Sequence, residues 1–263
     1  MSEQSEWMEA AEAAARVAGA VALGHYRRGV VVETKGDGTP VSVADRQAEE
    51  AVRRWLEARF PGDGIVGEEL GVARPEAPRR WLVDPIDGTK TFVRRVPLWG
   101  TLVALVEGDE VLAGAAFFPA VDELVVAARG AGCRWNGAPA HVSQVARLSE
   151  ATVLATDERF AGNPHQRTRW NRLVEGAAQS RSWGDCYGYL LVATGRAEVM
   201  VDGVMAPWDA AALKPIVEEA GGVFTDWTGR RTAFGGDTIA TNHALAGAVR
   251  ALLVDGASDG SSG

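Results

Sequence analysis

Trp81-Leu82-Val83-Asp84-Pro85-Ile86-Asp87-Gly88-Thr89 runs from an apolar segment directly into two acids. Trp81 to Val83 predicts a short buried strand that delivers Asp84 to its end. Pro85 removes one backbone donor and stiffens the turn that follows. Asp84 and Asp87 then converge, with the Ile86 carbonyl as a further oxygen. Gly88 lets backbone approach a ligand closely. A helix beginning here would leave free amides near Gly88 and Thr89, an anion site at its N-terminus, with the Thr89 hydroxyl placed to hold a water. The plainer reading is an Asx turn with a helix N-cap.

Two further patches lie outward from this one. Val66-Gly67-Glu68-Glu69 follows a short apolar strand at Ile65 to Gly67, and Asp209 stands in Pro207-Trp208-Asp209-Ala210-Ala211. Each has an ordinary explanation alone. The Glu pair reads as a solvated loop, Asp209 as a helix N-cap, and Asp45 as the cap or first-turn acid of another helix. Their joint occurrence is harder to explain that way. Buried carboxylates cluster stably only when something positive neutralises them. The first two patches contain no Lys or Arg before Lys90. An all-oxygen set points to hard divalent cations, more than one, and so to a metal-dependent hydrolase of phosphate esters.

The chain has 263 residues, of which 46% are hydrophobic, enough for a sizeable core. It predicts one large domain or two packed halves. Residues 1–145 would form an N-terminal half with most of the acids, and 146–255 a C-terminal half with Asp209. Residues 256–263 form a small polar tail that reads as disordered. A net charge of −8 argues against a nucleic-acid partner but not against a small anionic substrate. Cys133 and Cys186 read as reduced core thiols. The N-terminus carries Glu3, Glu6, Glu9 and Glu12 where a signal peptide is basic, and no apolar run is long enough to span a bilayer. The expectation is a cytoplasmic protein without a membrane partner.

Helices are predicted over Ser5–Arg28 (with a stripe of Trp7, Ala11, Ala14, Val17, Ala18, Val21 and Tyr26) and from Ser42–Asp45 to Phe60. Val30–Thr34 is a β-branched run and Lys35–Pro40 a loop. Thr101–Glu107, Val111–Phe118 and Glu123–Arg129 predict an antiparallel meander, followed by a Gly-rich connection from Gly130 to Pro139. The second half alternates strands (Val153–Thr156, Arg181–Trp183, Ala197–Val201) with helices (Arg167–Ala178, Asp185–Thr194, Trp208–Ala220). Val223–Thr225, Ile239–Thr241 and a helix over Ala244–Leu253 complete it. Such alternation predicts a sheet covered by helices, an α/β fold. Pro215 should bend the helix that begins near Asp209.

Asp84-Pro85-Ile86-Asp87-Gly88-Thr89, preceded by Gly67-Glu68-Glu69 and followed by Trp208-Asp209-Ala210-Ala211-Ala212 and Glu219-Ala220-Gly221-Gly222, resembles the inositol monophosphatase family. These are lithium-sensitive, Mg-dependent phosphatases related to fructose-1,6-bisphosphatase. The resemblance runs from Lys35 to Asn242. It implies an αβαβα sandwich, a homodimer, and two or three Mg2+ ions per site, with Mn2+ as an alternative. Glu68, Asp84 and the Ile86 carbonyl resemble ligands of the activating ion, with Glu68 also reaching a loosely held third. Asp84, Asp87 and Asp209 resemble ligands of the second. Thr89 and Asp45 resemble the pair that orients the attacking water, and the Gly88 and Thr89 amides the phosphate cradle. The implied chemistry is in-line attack by metal-activated water without a phosphoenzyme. His25, His141, His165 and His243 lie scattered away from these motifs, which fits.

Asp87–Phe92, Arg94–Trp99, Trp183–Tyr189 and Asp202–Asp209 resemble the histidinol-phosphate phosphatase branch, a step of histidine biosynthesis. Asp185 stands where inositol-specific relatives carry a small polar residue, and Asp202 where relatives place a substrate-contacting acid. Two acids around a small pocket favour an ammonium-bearing alcohol over a neutral polyol. Asp185 also reads as an N-cap for Cys186–Thr194. The alternatives are an inositol-1-monophosphatase or promiscuous sugar-phosphate or bisphosphate phosphatase, and, more remotely, a non-catalytic regulatory binding protein.

Overall fold

A computed structural model describes residues 2–28, 32–34, 40–160 and 162–254. Of the loop expected at Lys35–Pro40, residues 35–39 lie outside them and Pro40 instead opens a strand; the tail expected at 256–263 also lies outside them. The chain opens on α1 (Glu3–Arg28), continues through an antiparallel pair, β1 (Val32–Thr34) and β2 (Pro40–Ser42), and enters α2 (Val43–Arg59). Then come β3 (Gly64–Gly67), β4 (Gly71–Ala73), β5 (Arg79–Asp87), the short α3 (Thr89–Val93), β6 (Gly100–Glu107), β7 (Glu110–Phe118), β8 (Glu123–Ala128), β9 (Gly132–Trp135) and β10 (Ala138–Pro139). Strands β3 to β10 make one eight-stranded sheet in the order β10-β9-β8-β7-β6-β5-β3-β4.

A 3-10 turn at Leu148–Glu150 leads to β11 (Thr152–Ala155), α4 (Pro164–Gly176), β12 (Gln179–Arg181), α5 (Asp185–Ala193), β13 (Val199–Asp202), α6 (Pro207–Glu219), β14 (Val223–Thr225), β15 (Thr238–Thr241) and α7 (Ala246–Leu253). Its five strands form a second sheet, ordered β12-β11-β13-β15-β14.

The layers follow from alternation along the strands. In β5, Trp81 and Val83 face a core shared with α1 and α2, while Leu82 faces the opposite core with α5 and α6. In β13, Met200 joins that same central core, while Val199 and Val201 face α4 and α7. Helices and sheets therefore stack as α1/α2, large sheet, α5/α6, small sheet, α4/α7, the αβαβα arrangement expected. No helix among the described residues is long and apolar enough to cross a membrane.

Three local readings change. First, the strand at Trp81 does not stop at Val83. It runs to Asp87 with a register shift between Asp84 and Asp87, and pairing resumes at Asp87 opposite Gly100. Pro85 lacks an N–H, and the Thr101 hydroxyl donates to its carbonyl at 2.8 Å, so the interruption leaves that oxygen satisfied. Second, the Gly-rich connection contains β9 and β10. Asn136 and Gly137 both have positive φ, the two-residue turn that matches strand twist. Third, the buried face of α1 is made of small residues, Ala11, Ala14, Ala15, Ala18 and Ala22, while Trp7, Val17 and Val21 are only partly buried. At Gly19 a Cβ would stand 2.6 Å from the Phe117 ring, so close seating on the sheet requires the missing side chain.

Candidate active site

The C-terminal end of β5 and the first turn of α6 bring three of the expected acids together. Asp84, Asp87 and Asp209 each offer a carboxylate oxygen, all within 4.8 Å of one another. The Ile86 amide donates to Asp84 Oδ1 at 2.9 Å, and the Cys186 amide donates to Asp87 Oδ2 at 2.5 Å. Asp209 is the third residue of α6, and the Ala206 amide donates to it at 3.2 Å. It thus holds the helix start from within the first turn rather than from the cap. Gly114 positions α6, because a Cβ there would lie 2.2 Å from the Ala212 carbonyl oxygen.

Glu68 follows β3, its amide donating to the Val83 carbonyl at 3.3 Å, which ties it to the strand carrying Asp84. Thr89 opens α3, and its hydroxyl donates to the Ile86 carbonyl at 3.1 Å. Gly88 has φ +82, a left-handed conformation that suits glycine. Asp45 is buried in the first turn of α2.

Burial, then the charges of Glu68, Asp209 and Asp87, hold the Asp84 carboxyl well above its ordinary range. Burial, then Asp185 and Asp209, does the same to Asp87. Asp209 is pushed to about 6, chiefly by burial. No Lys or Arg among the described residues forms an ion pair with these three acids. An oxygen-only set this crowded and this short of positive charge fits a hard divalent cation.

A measurable pH effect follows. A carboxyl whose folded pKa is raised keeps its proton longer in the folded chain than in the unfolded one. The stability it contributes is present at low pH and is lost as pH rises through the folded value, here about 6 for Asp209. Bound cation reverses this by favouring the charged form. The melting temperature in Mg2+ minus that in EDTA should therefore grow between about pH 5 and about pH 7.5. A difference that stays flat across that range would show that these acids bind no cation coupled to their ionisation.

Asp185 does not cap α5. Gly184 occupies that position, and Asp185, at φ 51, turns its carboxylate across the chain to accept from the Thr91 hydroxyl at 3.1 Å. It lies against Gly88, where a Cβ would be 3.0 Å from Asp185 Oδ2. Burial raises its pKa, opposed by the Thr91 bond and by Lys90. Asp202 ends β13, accepts from the Tyr189 hydroxyl at 2.9 Å and the Thr156 amide at 3.3 Å, and is pushed to about 7 by burial. Asp87, Asp185, Asp202 and Asp209 share the lining of one small cavity of about 80 Å3. A separate hollow of about 620 Å3 between α1 and α2 is lined by none of these acids.

One supporting acid was not anticipated. Glu49 of α2 is fully buried, and its carboxylate accepts from the Glu69 amide at 2.8 Å, the Leu70 amide at 3.2 Å and Arg53 Nε at 2.7 Å. It thereby holds the turn that carries Glu68. Gly67 makes room for it, since a Cβ there would stand 1.9 Å from Glu49 Oε1. Thr91, Thr156 and Tyr189, which fix Asp185 and Asp202, were likewise not singled out, although each lies in or beside a motif already quoted.

Comparison with known proteins identifies the family. The inositol monophosphatase family profile matches residues 3–256. A histidinol-phosphatase of Chlorobaculum parvum is 44% identical over 93% of this chain and 95% of its own. One of Mycobacterium tuberculosis is 40% identical over 81% of this chain and 84% of its own. Among solved structures, an inositol monophosphatase from Zymomonas mobilis superposes with a TM-score of 0.86 at 32% identity, covering 96% of this chain and 99% of that one. The protein is a metal-dependent phosphoric monoester hydrolase. It belongs to the inositol monophosphatase family.

Proposed function

We propose that the protein is a Mg2+-dependent phosphomonoesterase that converts L-histidinol phosphate and water to histidinol and phosphate. The observation that carries this reading is the acid on the leaving-group side: Asp185 and Asp202 line the same cavity as Asp87 and Asp209. An alcohol bearing an ammonium beside the ester oxygen meets two carboxylates there, whereas a neutral polyol would leave them unpaired. The 44% and 40% identity to histidinol-phosphatases supports the same substrate.

In this reading Glu68, Asp84 and the Ile86 carbonyl would hold one ion, Asp84, Asp87 and Asp209 would hold a second, and Glu68 would also serve a weaker third. The bound cations supply phosphoryl charge neutralisation and a lowered water pKa. Thr89 and Asp45 orient the attacking water. The Thr89 hydroxyl already sits on the Ile86 carbonyl, beside a proposed ligand. The amides of Gly88 and Thr89 receive the phosphate. Asp185 and Asp202 receive the ammonium of the departing alcohol. The assembly proposed is a homodimer, on the family resemblance.

The test is phosphate release from histidinol phosphate, inositol 1-phosphate, fructose 1,6-bisphosphate and adenosine bisphosphate, with Mg2+ and again after exhaustive chelation. The expected result is the highest kcat/KM for histidinol phosphate and none in EDTA. Preference for inositol 1-phosphate would replace the substrate, and full turnover without metal would remove the mechanism.

A further inference from the structure

Resting on histidinol phosphate as substrate, the structure offers a place for the part of that molecule furthest from the phosphate. A cavity of about 430 Å3 adjoins the carboxylate centre and shares Thr156, Asp202 and Val204 with it. Its most buried polar side chains are Asp202 and Gln166 of α4, each only 6% exposed. Gln166 Nε2 donates to Asp237 at 3.2 Å. A carboxylate only accepts, so this bond fixes the amide orientation and turns Oε1 the other way. Oε1 is directed toward Gly203, where a Cβ would lie 2.7 Å from it and 2.8 Å from Phe160 Cδ1. Gly203 and Phe160 both line the cavity. Among the described residues no hydrogen bond reaches Gln166 Oε1. Oε1 is not among the sealed, unpartnered polar atoms of the interior, so it is an acceptor that a ligand N–H can reach from the cavity.

The rest of the lining points to the same chemistry. Asp202 and Asp237 add carboxylate oxygens, Asp157 is held by Arg159, Phe160, 5% exposed, adds a small strip of apolar surface, and Val204, 82% exposed, forms an apolar lip. Acceptors beside apolar surface suit a ring that carries N–H groups. The shared residues set the direction. An ammonium held near Asp185 and Asp202 leaves the remainder of the alcohol facing Thr156 and Val204, and so the second cavity.

We propose that this cavity selects the nitrogen heterocycle of the alcohol, its N–H donating to Gln166 Oε1 and its carbon edge meeting Phe160 and Val204. Gln166 is then a specificity-determining residue, and Gly203 is a glycine because a Cβ would collide with Gln166 Oε1 and Phe160, which pack against it.

The test compares three phosphate esters at fixed Mg2+: histidinol phosphate, phenylalaninol phosphate, which keeps the skeleton but has no ring N–H, and 2-aminopropyl phosphate, which has no ring. The wild type should show kcat/KM at least about tenfold higher for the first than for either other. Gln166→Met should move the histidinol-to-phenylalaninol ratio about tenfold toward unity. Gly203→Ala, whose Cβ would displace Gln166 Oε1 and Phe160, should lower histidinol phosphate relative to 2-aminopropyl phosphate. Equal wild-type kcat/KM for histidinol and phenylalaninol phosphates would overturn the assignment, and this needs no variant to fold. Good turnover of histidinol phosphate with that equality removes the cavity's role alone. Absence of turnover for every amino-alcohol ester, with a polyol phosphate consumed, removes the proposed substrate and this inference together.

Discussion

Asp84→Asn should lower kcat by about a thousandfold or more while leaving the fold intact. Asp84 is the one side chain proposed to reach both principal cations, so its charge contributes to each. Losing several kcal/mol of phosphoryl stabilisation corresponds to roughly three orders of magnitude in rate. The same substitution should not harm the metal-free protein. There Asp84 is buried and raised by the charges of Glu68, Asp209 and Asp87, so its ionised form is a burden on the folded state. Asparagine keeps an oxygen for the Ile86 amide that now donates at 2.9 Å. The variant should therefore melt in EDTA at or above the wild-type temperature, and Mg2+ should raise its melting temperature less. Two measurements separate this from a misfolded variant: kcat as a function of Mg2+, and melting in EDTA. A near wild-type rate at low Mg2+ would remove the bridging role. A large drop in metal-free stability would assign Asp84 to the fold instead.

Much of this site was legible because its signals are local. Apolar run, acid, proline, acid and glycine fall within nine residues at Trp81–Thr89, and β5 does carry Asp84 and Asp87 to one place. What was not legible depends on residues distant in sequence. Pro85 reads as the end of a strand, yet Thr101, on the neighbouring strand, satisfies its carbonyl and pairing resumes. Glu49 lies in the polar-looking part of α2, and only the missing side chain of Gly67 across the fold makes a place for its carboxylate. The small sheet has the expected strands, but β15 inserts between β13 and β14, an order that alternation cannot supply. Residue type misled at Asp185. An acid ahead of a helix reads as a cap, and only its positive φ directs the carboxylate to Thr91 instead.

That placement sharpens the second large expected effect. Asp185→Asn should lower kcat/KM for histidinol phosphate roughly ten- to a hundredfold relative to that for inositol 1-phosphate or p-nitrophenyl phosphate. The substitution is conservative for the fold. Asparagine tolerates the left-handed backbone at φ 51, and its side-chain oxygen can still accept from the Thr91 hydroxyl. It removes the charge facing the proposed ammonium. A charge-assisted hydrogen bond in a partly desolvated pocket contributes about 1.5–3 kcal/mol, which sets the size of the ratio. Neutral substrates make no such bond and should change little. Because Asp185 also raises the pKa of Asp87, the variant should relieve some repulsion among the metal-facing acids, so Mg2+ must be saturating in every assay. An equal fall for all substrates would mean that Asp185 acts through the metal-facing acids and not on the alcohol. No fall at all would remove Asp185 from ammonium recognition, and the preference for histidinol phosphate would then rest on Asp202 and the relatives.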